Sequence, residues 1–228
     1  MAQRPKFDAV CFDCDSTLTR IEGIDELARR AGCEAEIASL TEAAMNGTIP
    51  LEAVYAKRLD LVRPDRAALA WLAERYADET VSGAAETIAT LRRHGKAVYV
   101  VTSGLLQAVA PFARLLGLAP AQVHAVEVNL DAAGAYQGFD SSSPLCCSDG
   151  KAIICRRIAA MHGNVAIVGD GVTDLAARAS GAYVVGYGGV VHRDVMKKKA
   201  DSYIAGPSLT ATLPALLTSE ESRSDCGV

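Results

Sequence analysis

Four short aliphatic runs punctuate the chain: FDAVCF at 7–12, AVYVVT at 97–102, VAIVG at 165–169 and AYVVGY at 182–187. Each is continuous rather than alternating and rich in valine, the pattern of a strand buried on both faces. Between them, GAAETIATLRRHG (83–95), LLQAVAPFARLLG (105–117) and KAIICRRIAAMHG (151–163) carry apolar residues at helical spacing, and the first closes on basic residues and Gly95, a helix stop. Pro111 falls in the second, where it either bends the helix or marks its start. Strands alternating with helices predict a doubly wound α/β fold around a parallel sheet, with ligands at the carboxyl ends of the strands. Residues 17–79 break the alternation. Segments 23–47, 50–62 and 65–78 read as amphipathic helices with no strand among them, so a small helical cap is expected after the first strand. The expected organisation is a core of 1–16 and 80–228 and a cap of 17–79. VEVNLDAAGAYQGFD (126–140) alternates about a turn and predicts a β-hairpin.

Composition narrows the class. The 228 residues suit one domain with an insertion, and 50% hydrophobic but only 5% aromatic residues imply an aliphatic core of packed helices. A net charge of −4, from 23 basic and 27 acidic residues, gives no reason to expect a nucleic-acid surface. No apolar run approaches the ~18 residues of a membrane span. The opening MAQRPKFDAV has no leader pattern, and the chain is expected to fray from residue 220. The seven cysteines are odd in number and two are adjacent, which suits reduced thiols in a cytoplasmic protein. Cys11 and Cys14 have CxxC spacing, but they sit at a strand end with no second pair, so packing is expected rather than metal or redox chemistry.

The candidate chemistry lies behind the apolar runs. Asp13 and Asp15 follow the first, Thr102, Ser103 and Gly104 end the second, and Asp170 and Asp174 follow the third; Lys151 opens a helix. Each has a plain structural role open to it, such as a cap, a turn or a solvated charge. Their shared placement at one end of the sheet favours phosphoryl transfer, where an anionic nucleophile must approach an anionic phosphate. Three aspartates offer the hard oxygens that Mg²⁺ prefers. Ser103 and Lys151 can hold phosphate oxygens, an aspartate can form an acyl-phosphate, and Asp15 can protonate a leaving alcohol. A GxSxG elbow, a Walker A loop and GxGxxG are all absent from the sequence.

DCDST, VTSG, Lys151 and VGDGVTD resemble, in order, the four motifs of the haloacid dehalogenase-like phosphohydrolases. Within that superfamily RIEGIDELA (20–28), AMNGTIP (44–50), YAKRLDLV (55–62), YQGFD (136–140) and GYGGVVHRDVMKKKADSYI (186–204) resemble stretches of the phosphoserine phosphatases. The resemblance implies hydrolysis of O-phospho-L-serine, the last step of serine biosynthesis, by a monomer or homodimer. It makes Asp13 the nucleophile and Asp15 the general acid and base. Mg²⁺ would be held by the Asp13 side chain, the Asp15 carbonyl and Asp170, with Asp174 supporting. Ser103 and Lys151 would hold the phosphoryl group, with Gly104 and Thr173 lining that end. Glu22 and Arg58 would grip the ammonium and carboxylate, and Met45 and Gly47 would line the cap side.

Three positions depart from the pattern. Leu105 stands at a usual glycine, Gln107 at an arginine and Leu51 at an aromatic residue. Loss of the arginine charge leaves the phosphoryl chemistry in place and keeps a second substrate reading open, a phosphatase or phosphotransferase for another small phosphorylated metabolite. A phospho-accepting signalling module shares the sheet and the acyl-phosphate, but it needs neither a helical cap nor an acid two residues beyond the nucleophile.

Overall fold

Ala-Val-Cys-Phe is wholly shielded from water as strand β1 (Ala9–Phe12), because it occupies the middle of a sheet. The structure is a computed structural model that describes residues 7–224. Residues 1–6, where no leader was expected, and residues 225–228 of the expected frayed end, with Cys226, lie outside the described residues. β1 pairs in parallel with β2 (Ala97–Leu105) on one side and β6 (Val165–Gly169) on the other. With β3 (Val123–Val126), β7 (Tyr183–Tyr187) and β8 (Ser202–Ile204), the order is β3-β2-β1-β6-β7-β8, all parallel. Four of these strands are the aliphatic runs. β3 and β8 were not expected, since four and three residues are too few to display a period. The order reverses direction between β1 and β6, which is where such sheets open a crevice for ligands.

Helices α1 (Gly23–Ala31), α2 (Glu34–Met45), α3 (Leu51–Val62) and α4 (Arg66–Asp78) fill the expected cap segment. Local chemistry sets their ends. Gly32 closes α1 in the left-handed conformation, Pro50 precedes α3, and the Asp65 carboxylate accepts the Ala68 N–H at the start of α4. A single antiparallel bridge, Thr19 to Thr80, joins the strands of chain entering and leaving this segment.

The remaining helices are α5 (Ala84–Arg93), α6 (Leu106–Leu115), α7 (Gly150–His162), α8 (Val172–Ala176), α9 (Asp194–Lys199), α10 (Leu213–Leu216) and α11 (Ser219–Ser224). Pro111 lies inside α6 rather than at its start. α4 packs along α6, with the rings of Tyr76 and Phe112 5.7 Å apart. A two-stranded antiparallel hairpin of β4 (Val128–Leu130) and β5 (Tyr136–Phe139) stands apart from the main sheet, as the alternation predicted. Order runs past residue 220, where fraying was expected: buried Lys96 donates to the Glu221 carboxylate at 3.0 Å and to the Phe7 carbonyl at 2.9 Å, which anchors α11.

Gly169 ends β6 where the Asp174 side chain folds back over it, and a Cβ there would overlap the Asp174 carboxyl group. Gly169→Ala is therefore expected to lower unfolding free energy by about 1–3 kcal/mol, the usual effect of overpacking. A urea denaturation midpoint equal to that of the parent would show that Asp174 moves aside without strain.

Candidate active site

Three neighbouring strands deliver the polar residues to one point. Asp13 follows β1 and continues its ladder, its N–H donating to the Val168 carbonyl of β6 at 2.9 Å. Its Oδ1 accepts the Cys14 N–H at 2.7 Å, and its Oδ2 lies 2.5 Å from the ammonium of Lys151. Lys151, second residue of α7, also meets Asp174 Oδ1 at 2.7 Å, and Asp174 Oδ2 accepts the Gly171 N–H at 3.0 Å. Burial works against a charged lysine, yet the Asp13 and Asp174 carboxylates outweigh it and hold the Lys151 pKa above its ordinary value. The balance is reasonable: desolvation costs several kcal/mol per ion, and two carboxylates each attract by about 4 kcal/mol or more at this range.

Asp13, Asp170 and Asp174 are all buried, and one oxygen from each lies within 4.8 Å of the others. Burial, aided by the Glu22 charge, pushes Asp170 up to about 7. Burial likewise raises Asp174 to about 7 against the opposing pull of Lys151. The cluster therefore carries more negative charge than its surroundings stabilise, and its donors are hard oxygens.

Asp15 is held differently. Its Oδ1 accepts the Gly23 N–H and the Tyr76 hydroxyl, both at 2.8 Å. A Cβ on Gly23 would collide with that hydroxyl, so glycine is needed where α1 meets Tyr76. Burial, then the neighbouring Asp13 charge, lifts Asp15 to about 7, suited to giving and taking a proton near neutrality.

Helices α1, α3 and α4 close the other side of a pocket, with Leu51, Tyr55, Arg58 and Tyr76 lining it opposite Asp13, Ser103 and Lys151. Glu22 faces it, accepting from the Ser16 hydroxyl at 2.8 Å, and burial with the Asp15 charge raises it to about 8. Arg58 of α3 donates to the Thr41 hydroxyl at 3.2 Å, while its Nε is buried without a hydrogen-bond partner. The Ser103 hydroxyl is likewise buried and unpartnered. Both residues line the pocket, and buried polar atoms left unpaired at a cavity mark where a ligand supplies the partner.

Ten of the twelve sequence candidates line this pocket: Asp13, Asp15, Glu22, Met45, Arg58, Ser103, Gly104, Lys151, Asp170 and Thr173. Asp174 sits behind Lys151. Gly47 does not line it; its left-handed backbone lies against Val172, with a φ of 76°. Sequence reasoning missed Tyr76, which no motif marks, and Tyr55, although the stretch 55–62 that it opens was noted as a whole. It also missed Arg193, although the stretch 186–204 was noted as a whole. Arg193 Nε pairs with Asp170 Oδ2 at 2.9 Å, Nη1 donates to Asn46 at 3.4 Å, and Nη2 lies 3.9 Å from Glu22. It thus ties the acidic cluster of the core to two cap residues. The CxxC pair is packing: Cys11 and Cys14 are fully buried and free, and burial raises the Cys14 thiol well above its ordinary value.

Comparison with known proteins agrees with this geometry. A family model described as haloacid dehalogenase-like hydrolase matches residues 10–178. The phosphoserine phosphatase of Bos taurus is 33% identical over 199 residues, covering 86% of this chain and 88% of its own. Two solved structures superimpose closely. One is a phospho-aspartyl intermediate analogue of phosphoserine phosphatase, with TM-score 0.78, 28% identity and coverage of 93% of this chain and 100% of the other. The second, a substrate-bound phosphoserine phosphatase complex, gives a TM-score of 0.80 and 27% identity over 94% of this chain and 100% of the other.

Removing Arg193 strips the buried Asp170 of its guanidinium partner. Arg193→Met is expected to cost about 3–5 kcal/mol of stability in metal-free buffer, the penalty for breaking a buried pair. Equal urea midpoints for the two proteins would show that the pair contributes nothing net.

Proposed function

The chain belongs to the haloacid dehalogenase-like hydrolases, and from that footing we propose that it hydrolyses O-phospho-L-serine to L-serine and phosphate through an aspartyl-phosphate on Asp13. The observation that carries this reading is one cavity in which a part-buried carboxylate, Glu22, and a buried guanidinium with an unpartnered Nε, Arg58, face the Asp13–Lys151 pair. A phosphorylated amino acid presents an ammonium, a carboxylate and a phosphate. Glu22 complements the first, Arg58 the second as a planar fork, and Lys151 with the Ser103 hydroxyl the third. The curated relatives it resembles carry the name of this activity. In this reading residues 17–79 form the cap and 1–16 with 80–228 the core.

The three clustered carboxylates fit a hard divalent cation. Mg²⁺ would be held by the Asp13 side chain, the Asp15 carbonyl and Asp170, with Asp174 supporting. When bound, the ion supplies positive charge that offsets repulsion between the carboxylate nucleophile and the phosphate.

The chain's own residues then have separate tasks. An Asp13 carboxylate oxygen attacks phosphorus, the bond from phosphorus to the serine oxygen breaks, and Asp15 gives that oxygen its proton. Asp15, now a carboxylate, takes a proton from water as the water oxygen attacks the acyl-phosphate, which releases phosphate and restores Asp13. Lys151 stays protonated throughout and holds Asp13 in place. Tyr76 and the Gly23 N–H keep Asp15 aimed, since both bind Oδ1.

Leu51 and Leu105 line the same cavity, where the resembled enzymes carry an aromatic residue and a glycine. That apolar wall favours a second reading, a different small phosphate ester as the preferred substrate. A panel of O-phosphoserine, sugar phosphates and p-nitrophenyl phosphate decides between them: phosphoserine is expected to have the highest kcat/KM, and parity with sugar phosphates would sink the first reading. Asp13→Asn is expected to lower kcat by about 10⁴-fold or more with the fold intact by circular dichroism; retained turnover would refute its role as nucleophile. Glu22→Gln is expected to raise KM for phosphoserine while sparing p-nitrophenyl phosphate, which has no ammonium. Equal losses on both substrates would remove Glu22 as the ammonium partner.

A further inference from the structure

We propose that the β4–β5 hairpin is a strut that fixes the substrate-reading helix α3 to the core, with Gln107 as the positioning residue that seats it. The inference rests on the reading of Arg58 as the carboxylate partner. Gln107 stands where an arginine was expected, yet it does not reach the cavity. Its Oε1 accepts the Val128 N–H at 3.0 Å and its Nε2 donates to the Val128 carbonyl at 2.6 Å. The side-chain amide thereby imitates one rung of a β-ladder and binds the first residue of β4 to the first turn of α6.

From there the contacts lead to the pocket. Val128 pairs with Phe139 across the hairpin, and the Phe139 ring lies 5.3 Å from that of Tyr55 in α3. Tyr55 donates its hydroxyl to the Ser103 carbonyl at 2.8 Å, and its ring lies 5.8 Å from the Arg58 guanidinium. Tyr55 and Arg58 are three residues apart and share a face of α3. The hairpin reaches the cap twice more: Arg63 stacks on Tyr136 at 5.3 Å, and the Arg66 N–H donates to the Gly134 carbonyl at 2.8 Å. At the other end of α3, the Ser148 hydroxyl accepts the Leu51 N–H at 2.9 Å, and Ser148 donates both its N–H and its hydroxyl to Glu52. α3 is therefore gripped at both ends by segments carried on the core. A reading residue displaced by about 1 Å loses much of its effect, so the grip sets how well Arg58 meets its ligand.

Gln107→Ala removes the clasp, and Phe139→Leu weakens the next link. For Gln107→Ala the KM for O-phosphoserine is expected to rise about 5- to 30-fold, the effect of two lost hydrogen bonds. With p-nitrophenyl phosphate, which offers Arg58 no carboxylate, kcat/KM is expected to stay within about twofold. Hydrogen exchange followed by mass spectrometry needs no substrate: amides of 51–62 should exchange faster in both variants, and those of β1 and β6 should not. Equal kinetic losses on both substrates, or unchanged exchange across α3, would overturn the proposal. If the parent protein were inactive on phosphoserine but α3 still loosened, the substrate reading would fail and the strut would stand.

Discussion

The buried ammonium of Lys151, clasped by Asp13 at 2.5 Å and Asp174 at 2.7 Å, is the contact on which the site depends. It lets two buried carboxylates sit side by side, and it fixes Asp13, the proposed nucleophile, against the end of β1. Its own position is fixed by the start of α7 and by the turn after β6, where Gly169 leaves room for Asp174. Burial is the main cause of the raised carboxylates, and the charge count around Lys151 adds to it. Asp13, Asp15, Glu22, Asp170 and Asp174 face Lys151, Arg193 and Arg58, so two negative charges remain unbalanced when all are ionised. A divalent cation among the three clustered aspartates would restore neutrality.

The sheet makes this gathering possible. β1 pairs with β2 and β6 at matched register, Phe12 lying opposite both Val100 and Val168. Residues just beyond those positions must then emerge together: Asp13 from β1, Thr102 to Gly104 from β2, Asp170 from β6. Parallel pairing with reversal of strand order at β1 and β6 opens the crevice into which they project. The helical segment adds what the sheet ends cannot supply, a part-buried anion, Glu22, and a buried guanidinium, Arg58, on the opposite wall.

Much of this was legible in the sequence because the buried strands are continuous aliphatic runs and the acids follow them directly. The helical segment α1–α4 was legible as an absence of strands across sixty-odd residues. What stayed hidden depends on distant pairing. β3 and β8 are too short to carry a period and are strands only because longer neighbours template them. Tyr76 acts on Asp15 across 61 residues of chain and Arg193 on Asp170 across 23, and no local spacing announces either bond. Gly47 shows the reverse error: a residue placed by resemblance that serves the backbone turn after α2 rather than the cavity. Gln107 looked like a lost charge and is a backbone clasp.

The division between sheet and cap bears on how such a pocket discriminates. Asp13, Ser103 and Lys151 would accept any phosphate monoester, so the phosphate end cannot tell one substrate from another. Glu22 and Arg58 differ in that Arg58 is buried and Glu22 part-buried before anything binds, and the Nε of Arg58 has no partner. In the proposed reading, a substrate with an ammonium and a carboxylate would pair both groups. One without them would leave the Arg58 guanidinium and the Glu22 carboxylate without those partners as the pocket fills, a penalty of about 1–3 kcal/mol for each group, larger when it is charged. Selectivity then comes from what wrong substrates leave unpaired rather than from extra attraction to the right one. That logic holds only while α3, which lines the pocket opposite Asp13, keeps its side chains at fixed distance from that residue, and the anchoring of α3 at both ends serves this purpose.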